Sequence, residues 1–306
     1  MNTRPIAVAP NSRPAMFESM SRAVAVGGGV VSPMADAEAL IWADARADQF
    51  REVMAANPEV EWVQLPYAGI ENFLEHLDEH RIWTNAKGVY APAVAETVVA
   101  QLLALCKNLH EYARAATWEG PTGRLLAGSR ITVLGGGGIT QHLLPLLAPF
   151  ECDVTVVRRI DEHLAGATRT TTADRLHELL PRTDLLVLAL ALTPETRGII
   201  DAPELAALPD HALIVNVARG GHIVTDALTQ ALRSGEIGGA ALDVTDPEPL
   251  PDNHPLWSEP NCLITPHIAN TPDMGLDLLE PFVTENVRRF CAGEQLLASV
   301  DVNLGY

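Results

Sequence analysis

Residues 131–140 read Ile-Thr-Val-Leu-Gly-Gly-Gly-Gly-Ile-Thr, and an apolar helical stretch follows them. A short buried strand, a glycine turn and a helix start in this order form a cradle for phosphate groups. The first glycine of such a turn permits the tight bend, and the second lets the backbone approach a pyrophosphate. The stretch therefore predicts a dinucleotide-binding α/β domain with phosphate contacts from Gly135, Gly137, Gly138 and Ile139.

The third position of this pattern departs from the usual glycine. Thr140 stands there, at the position that governs close packing of the helix on the strand. We expect a slightly displaced helix with the phosphate site retained. Taken alone, a glycine turn also fits a purely structural role or a methyltransferase that binds S-adenosylmethionine.

Short apolar runs alternate with longer amphipathic segments along the whole chain, which is typical of βαβ units and a parallel sheet. Helical patterns cover Asp48–Ala56 and Asn72–Asp78, and two longer ones cover Val94–Ala115 and Met274–Ala292. The candidate strands are Ile6–Ala9, Ala39–Ala43, Glu61–Leu65, Arg81–Thr84, Ile131–Leu134, Asp153–Val157, Leu185–Leu190, Leu213–Asn216, Ala240–Val244 and Cys262–Thr265.

The two long helical stretches divide the chain. If the first half and the tail form one domain, these helices lie at its crossing points with the second domain. This plan gives a discontinuous domain of residues 1–97 plus 275–306 and a continuous domain of residues 98–274. Two sequential domains are the alternative that the pattern leaves open.

The composition restricts the class of partner. The chain has 306 residues, 47% of them hydrophobic and 20% charged, with a formal net charge of −18. Such a surface repels nucleic acid and anionic bilayers, so both are poor partners. The four scattered cysteines argue against a metal site or a disulfide framework and fit a reducing cytosol. No targeting leader or membrane-spanning apolar run is visible, so we expect a cytoplasmic protein.

The strand after the glycine turn ends in Arg158 and Arg159. A carboxylate at this position binds the ribose 2′-hydroxyl of NAD, whereas arginine suits the 2′-phosphate of NADP. We therefore predict NADPH in preference to NADH, with both arginines as cofactor contacts. Two solvated loop arginines are the alternative.

Three further segments place reactive side chains just after predicted strands. Arg219 follows one buried strand, Glu248 follows the next, and His267 follows the last. A guanidinium can bind a carboxylate through two hydrogen bonds, and a carboxylate beside a histidine orients the ring. Each residue alone is commonly structural, but their combination predicts a substrate-binding arginine with a proton-transferring pair.

In these motifs the chain resembles the D-isomer-specific 2-hydroxyacid dehydrogenase family, which includes glyoxylate/hydroxypyruvate reductases. Asn216–Gly220 resembles its NxARG segment, Asp243–Pro249 resembles DVxxxEP, and residues 265–267 resemble TPH. The resemblance implies that Arg219 binds the substrate and that His267 is the acid/base paired with the glutamate of the second motif, Glu248. Thr193–Gly198 also resembles a family segment near the cofactor.

The resemblance covers essentially the whole chain and implies an α/β protein of two doubly wound parallel-sheet domains, Rossmann-like and flavodoxin-like. It also implies the discontinuous plan, with the active site in the interdomain cleft. Leu65–Ile70 resembles the loop whose backbone N–H groups meet the substrate carboxylate. The remaining predicted contacts are Tyr67, Ala68, Gly69 and Trp257 for the substrate, and Leu190, Val217, Ala218 and Asp243 for the cofactor. Strand-end capping by Asp243 and simple packing by Trp257 are the alternatives.

The chain departs from the family pattern in three places, two single residues and one short segment. Thr140 bears on how the cofactor fits, and Arg158 bears on which cofactor binds. Ala269–Thr271 replaces the small residues that many members carry after the histidine, so the resemblance does not define the pocket wall near the nicotinamide. The resemblance implies an oxidoreductase that transfers a hydride between NADPH, or NADH, and a small 2-oxo or D-2-hydroxy acid such as glyoxylate or hydroxypyruvate. It further implies a homodimer built through the cofactor domain. A nucleotide-sensing binding protein without turnover is the alternative.

Overall fold

The computed structural model of the protein describes residues 3–44, 46–47, 49–118 and 120–302. The chain divides into two compact units, one comprising Met1–Tyr90 with Thr271–Tyr306 and the other comprising Ala91–Asn270. The sequence-based domain boundaries fall inside the two long helices, whereas the compact units separate just before each helix begins. Both helices carry a proline in the first turn, which apolar periodicity does not mark as a helix start.

The first unit contains five parallel strands in the order β2-β1-β3-β4-β5. This order changes direction between β1 and β3, which creates a topological switch point there. A 3₁₀ helix, Glu71–His76, lies where the sequence pattern predicted an α-helix over Asn72–Asp78. The strands are β1 (Pro5–Ala9), β2 (Val30–Val31), β3 (Ala39–Trp42), β4 (Trp62–Gln64) and β5 (Ile82–Thr84), and the α-helices, numbered along the chain, are α1 (Pro14–Val26), α2 (Phe50–Ala56) and α9 (Pro272–Ala292).

A buried polar network ties α9 to the sheet of the first unit. Asn286 is fully buried in α9 and donates from Nδ2 to Gln64 Oε1 at 2.9 Å. Its own oxygen accepts the backbone N–H of Leu297 at 2.8 Å. The hydroxyl of Thr84 donates to the same Gln64 oxygen and accepts the indole N–H of Trp62, each at 2.8 Å. Each of these polar atoms has a partner, as buried polar groups require.

The second unit contains seven parallel strands in the order β12-β11-β10-β9-β6-β7-β8. Its switch point lies between β6 and β9, and the glycine turn follows β6. The strands are β6 (Arg130–Leu134), β7 (Asp153–Val157), β8 (Arg169–Thr171), β9 (Leu185–Leu188), β10 (Leu213–Asn216), β11 (Gly239–Leu242) and β12 (Cys262–Ile264). The α-helices are α3 (Ala91–Cys106), α4 (Leu109–Tyr112), α5 (Gly138–Leu147), α6 (Leu176–Leu179), α7 (Ala202–Ala207) and α8 (Thr225–Ser234).

Both faces of the seven-stranded sheet are covered. Leu186, Leu188 and Ile214 lie in one buried cluster, while Leu185 and Val187 lie in another on the opposite face. Strands buried on both faces read as continuous apolar runs, which is why the central strands were visible in the sequence. The predicted α/β class with two doubly wound parallel sheets is confirmed.

The described part of the chain was compared with the requirements of a membrane-spanning helix and of a metal site. None of its helices combines the length and apolar character needed to cross a membrane. The same residues contain no group of three or more His, Cys, Asp or Glu side chains arranged to hold a metal ion.

Candidate active site

The glycine turn after β6 approaches a neighbouring strand end closely. Gly135 has a φ of +107°, and a Cβ built on it would lie 2.2 Å from the carbonyl oxygen of Ala189. Only glycine fits this backbone. At Gly137 a Cβ would meet no atom of the described residues within 4 Å. The turn is therefore closed against the sheet on one side and open on the other.

The start of α5 offers unpaired backbone donors at this open side. The helix begins at Gly138 without a side-chain cap, and its first intrahelical bond runs from Gln141 N to Gly137 O. Within the described residues, the N–H groups of residues 136–140 have no hydrogen-bond acceptor. Such N–H groups and the helix dipole favour an anion. Thr140 is fully buried, and its hydroxyl donates to Gly135 O at 2.6 Å, so this departure from glycine stabilises the turn internally.

A cation lies against the same turn. Arg158 follows β7, and a Cβ on Gly136 would lie 3.0 Å from Arg158 Cδ and 3.1 Å from its Nε. Arg159, the next residue, is exposed. Leu190 lies on the other side, with its Cα 3.0 Å from a Cβ built on Gly135. Free N–H groups, an open face and an adjacent guanidinium together fit the pyrophosphate and ribose of a dinucleotide.

The predicted proton-transferring pair is in direct contact. His267 Nδ1 and Glu248 Oε1 lie 2.6 Å apart. Their side chains are 52% and 41% exposed, respectively. A carboxylate on Nδ1 fixes the proton at that nitrogen and leaves Nε2 for exchange with a ligand. Nε2 has no partner among the described side chains.

The backbone of His267 is held in an uncommon conformation by Asp243. His267 has a φ of +52°, in the left-handed region that a non-glycine residue enters at a cost. Asp243 is 2% exposed; one carboxylate oxygen accepts Thr265 Oγ1 at 2.6 Å and Ile268 N at 2.9 Å, and the other accepts Ala269 N at 3.0 Å. Its carbonyl accepts His267 N at 2.8 Å. Asp243 therefore fixes the loop on both sides of the histidine, and its predicted cofactor contact stays a prediction.

Arg219 is fixed by polar side chains of its own loop. Asn216, the last residue of β10, accepts Ala218 N at 3.0 Å and donates to Arg219 O at 2.9 Å. His222 is fully buried, with Nδ1 3.2 Å from Arg219 N and 2.9 Å from Arg219 O. The tautomer decides which of the two contacts is a hydrogen bond. Burial lowers the pKa of His222, which favours the neutral ring. The predicted cofactor contacts Val217 and Ala218 lie here with buried side chains that pack in the core.

Gly220 brings the loop of Arg219 against the loop of Glu248. A Cβ on Gly220 would lie 1.9 Å from the carbonyl carbon of Thr245 and 2.5 Å from Asp246 N. The two backbones are thus in direct contact, three residues before Glu248. Trp257 closes the far side of this loop, because its indole N–H donates to Pro251 O at 2.9 Å.

In the first unit, the Tyr67–Gly69 loop has its carbonyls bound and its amides free. Tyr67 O accepts Ala86 N at 3.1 Å, and Ala68 O accepts Asn85 Nδ2 at 3.0 Å. In a trans peptide the N–H points away from the carbonyl before it, so the N–H groups of Ala68 and Gly69 point away from residues 85–86. Neither has an acceptor among the described residues. Adjacent backbone N–H groups without acceptors can donate hydrogen bonds to an anion.

The structure thus brings Arg219, Glu248 and His267 to the carboxyl ends of three adjacent strands, β10, β11 and β12. Sequence reasoning missed the contacts of Gly220 and His222, and it gave a structural role of Asp243 at the strand end only as an alternative to its cofactor contact. The available signals were a glycine directly after the arginine and a charged residue directly after a buried strand.

Comparison with known proteins gives a consistent picture. Residues 99–269 match the family model described as D-isomer specific 2-hydroxyacid dehydrogenase, NAD binding domain. The chain is 38% identical over 305 residues to an uncharacterised protein of Corynebacterium melassecola, covering 96% of this chain and 98% of that one. It is 30% identical over 282 residues to a glyoxylate/hydroxypyruvate reductase A of Yersinia enterocolitica, covering 88% and 87%.

A solved structure extends the similarity to three dimensions. A D-isomer specific 2-hydroxyacid dehydrogenase from Xanthobacter autotrophicus, in complex with NADPH and MES, superimposes with a TM-score of 0.85 at 28% identity. The match covers 100% of both chains. The predicted family is confirmed by the family model and by these relatives.

Proposed function

Because the chain belongs to the D-isomer specific 2-hydroxyacid dehydrogenase family, we propose that it transfers a hydride between a nicotinamide dinucleotide and a small 2-oxo or D-2-hydroxy acid. The observation that carries this proposal is the 2.6 Å contact between His267 Nδ1 and Glu248 Oε1. Reduction of a carbonyl carbon by hydride needs a proton for the oxygen, and this pair is built to supply one. The name of the Yersinia relative makes glyoxylate and hydroxypyruvate the first acids to test.

The proposed mechanism in the reductive direction assigns one task to each residue. Arg219 binds the acid and orients its carbonyl through the guanidinium. His267 donates the proton on Nε2 to the carbonyl oxygen as negative charge develops there. Glu248 keeps Nδ1 protonated and stabilises the charged ring before the transfer. When bound, the reduced nicotinamide supplies the hydride to C2.

Two further groups complete the proposed binding machinery. The free N–H groups at the start of α5 hold the pyrophosphate, with Gly137 leaving room for it. The free amides of Ala68 and Gly69 bind the carboxylate of the acid. Trp257 stays a predicted wall of the substrate pocket.

The variants His267→Gln and Arg219→Ala test the proposal when their turnover of a panel of 2-oxo acids is compared with that of the parent. Turnover with NADH and NADPH is followed by the absorbance of the reduced nicotinamide. Loss of the general acid should lower kcat on the order of 10²–10⁴-fold. Unchanged turnover in either variant would overturn the assignment. A parent protein that binds dinucleotide tightly but reduces no acid would instead be a nucleotide-sensing protein.

We propose NADPH as the preferred cofactor. Arg158 lies against the glycine turn, where an acid would disfavour a 2′-phosphate, and the similar Xanthobacter structure was solved with NADPH. Replacing Arg158 and Arg159 together with glutamine should raise the KM for NADPH and leave that for NADH nearly constant. An equal rise for both cofactors would remove the argument.

We also propose a homodimer formed through the second unit. One segment of this unit contains three large apolar side chains that are exposed, Leu109, Trp118 and Leu125. Such exposed apolar surface favours association. Trp118→Glu should shift the sedimentation mass from that of two chains to that of one, and a monomeric parent would contradict the proposal.

A further inference from the structure

An arginine stands at the switch point of the first unit. Open α/β sheets bind ligands outside the carboxyl ends of their strands, where the strand order changes direction. In the five-stranded sheet this point lies between β1 and β3. Arg13 belongs to the loop that leads from β1 into α1, and Asp44 follows β3. The chemistry at this edge depends on which of these charges is already paired.

Asp44 is engaged by other partners. Its carboxylate accepts Arg46 Nη2 at 2.9 Å and Ser12 Oγ at 2.7 Å. The Arg46 guanidinium holds the pKa of this carboxyl well below its usual range. The carboxylate of Asp44 is therefore already paired with a different cation.

Arg13 instead contacts a phenol. Its Nη1 donates to Tyr67 Oη at 2.6 Å. Among the described residues, no carboxylate lies within ion-pairing distance of Arg13, and the Tyr67 hydroxyl proton has no acceptor. An unpaired guanidinium is unexpected in a chain whose formal net charge is −18. The two side chains together present hydrogen-bond donors in search of an acceptor.

Tyr67 is held firmly enough to act as part of a site. Its ring lies beside the ring of Tyr90, with the centroids 6.2 Å apart. The buried hydroxyl of Tyr90 donates to Pro66 O at 2.5 Å and so fixes the residue before Tyr67. The Tyr67 hydroxyl therefore holds Arg13 beside the loop that also carries the free amides of Ala68 and Gly69.

We propose that Arg13 and Tyr67 bind a second anionic group of the substrate, so that the enzyme prefers 2-oxo acids carrying a carboxylate or phosphate beyond C2. The inference rests on the proposed function, because it takes the Tyr67–Gly69 loop as the binding site of the first carboxylate. A guanidinium pairs with a carboxylate or phosphate through charge-assisted bonds. A methyl group in the same place leaves these donors without partners, which is the costly arrangement.

The test compares acids that differ only beyond C2. Values of kcat/KM are measured at saturating dinucleotide for pyruvate, hydroxypyruvate, oxaloacetate, 2-oxoglutarate and 3-phosphohydroxypyruvate. The parent should favour at least one doubly anionic acid over pyruvate by roughly tenfold or more, which corresponds to about 1.4 kcal/mol. The two dicarboxylates and the phosphate ester distinguish the kind of anion and its distance from C2.

Variants then assign the preference to the pair. Arg13→Gln should bring the ratio of kcat/KM between the doubly anionic acid and pyruvate close to one. Tyr67→Phe, which removes the hydroxyl that holds the guanidinium, should reduce the same ratio by a smaller factor. Arg51→Gln is the matched control, because Arg51 is exposed and paired with Glu75 at 2.8 Å. It should keep the ratio of the parent.

The outcomes separate this inference from the proposed function. A parent that reduces the acids without favouring a second anion overturns the inference and leaves the function standing. So does an Arg13→Gln variant that loses the same factor on pyruvate as on the doubly anionic acid, since Arg13 would then serve the carboxylate that all the acids share. A parent that reduces none of the acids overturns both. Far-UV circular dichroism and dinucleotide binding establish that each variant is folded.

Discussion

Replacing Gly220 with alanine should force apart the loops that carry Arg219 and Glu248. The new Cβ would lie 1.9 Å from the carbonyl carbon of Thr245 and 2.0 Å from its oxygen. Nonbonded carbon atoms approach each other only to about 3.5 Å, so the two backbones must separate by roughly 1.5 Å. The atoms in conflict belong to the backbone on both sides, and no change of side-chain rotamer relieves the contact.

The expected loss in activity follows from this displacement. A misplacement of about 1 Å at a reacting group costs on the order of 100-fold in rate. We therefore expect kcat/KM of Gly220→Ala for the 2-oxo acid to fall by about 100-fold or more. Overpacking of this kind also destabilises a protein by about 1–3 kcal/mol, which should appear as a lower Tm. Dinucleotide affinity should change less, because the glycine turn follows β6 and not β10.

Gly221→Ala is the matched control for this experiment. Its Cβ would meet Nη1 of Arg197 at 2.9 Å, the far end of a long exposed side chain that can move away. Steady-state kinetics, dinucleotide titration and thermal unfolding are measured for both variants. If Gly220→Ala kept kcat/KM within a small factor of Gly221→Ala, the backbone contact would not position the two loops and the reasoning would be refuted.

Three further substitutions test the supporting structure. His222→Asn should keep a higher kcat/KM than His222→Leu, because the asparagine still places an acceptor near the position of Nδ1 and so holds the backbone of Arg219. Equal values of kcat/KM for the two variants would contradict this role. Asp184→Asn should lower the free energy of unfolding at pH 7, because Arg130 depresses the pKa of this carboxyl. The difference in unfolding free energy between variant and parent should shrink as the pH falls below about 4, and urea unfolding curves that give the same difference at every pH would oppose this. Asn286→Ala should cost about 2–4 kcal/mol by leaving buried polar partners unpaired, and a chemical unfolding midpoint equal to that of the parent would disprove it.

The strands were predictable where the sheet is covered on both faces. The predicted ranges Asp153–Val157 and Leu213–Asn216 coincide with β7 and β10, because most residues of both strands are apolar and buried. The strands Val30–Val31 and Arg169–Thr171 were not predicted, since they are short sheet edges with little buried surface. Apolar period alone does not reveal such edges.

Helix ends were harder to predict than helix positions. The stretch Val94–Ala115 reads as one helix, but α3 ends at Cys106 and Asn108 takes a left-handed φ of 50°. The helical pattern of the sequence continues past this turn, and α4 still includes a buried residue, His110. Apolar periodicity alone therefore does not reveal where the helix is interrupted.

In the candidate site, the reactive residues could be predicted from the sequence, but the groups that position them could not. Arg219, Glu248 and His267 could be predicted because each follows a strand that the sequence marks clearly. The groups that position them could not, since their contacts depend on how neighbouring strands pair. The Arg13–Tyr67 hydrogen bond is an extreme case, because it joins residues 54 positions apart that share no motif.

The position of β12 in its sheet has a consequence for partial denaturation. This strand forms the edge of the seven-stranded sheet and pairs over three residues, whereas β6 lies in the interior between β7 and β9. Edge segments with few paired residues open at a lower free energy than interior strands. His267 follows the edge strand and the glycine turn follows the interior one. Mild urea should therefore abolish turnover while nucleotide affinity persists, so that the last property lost before global unfolding is binding and not catalysis.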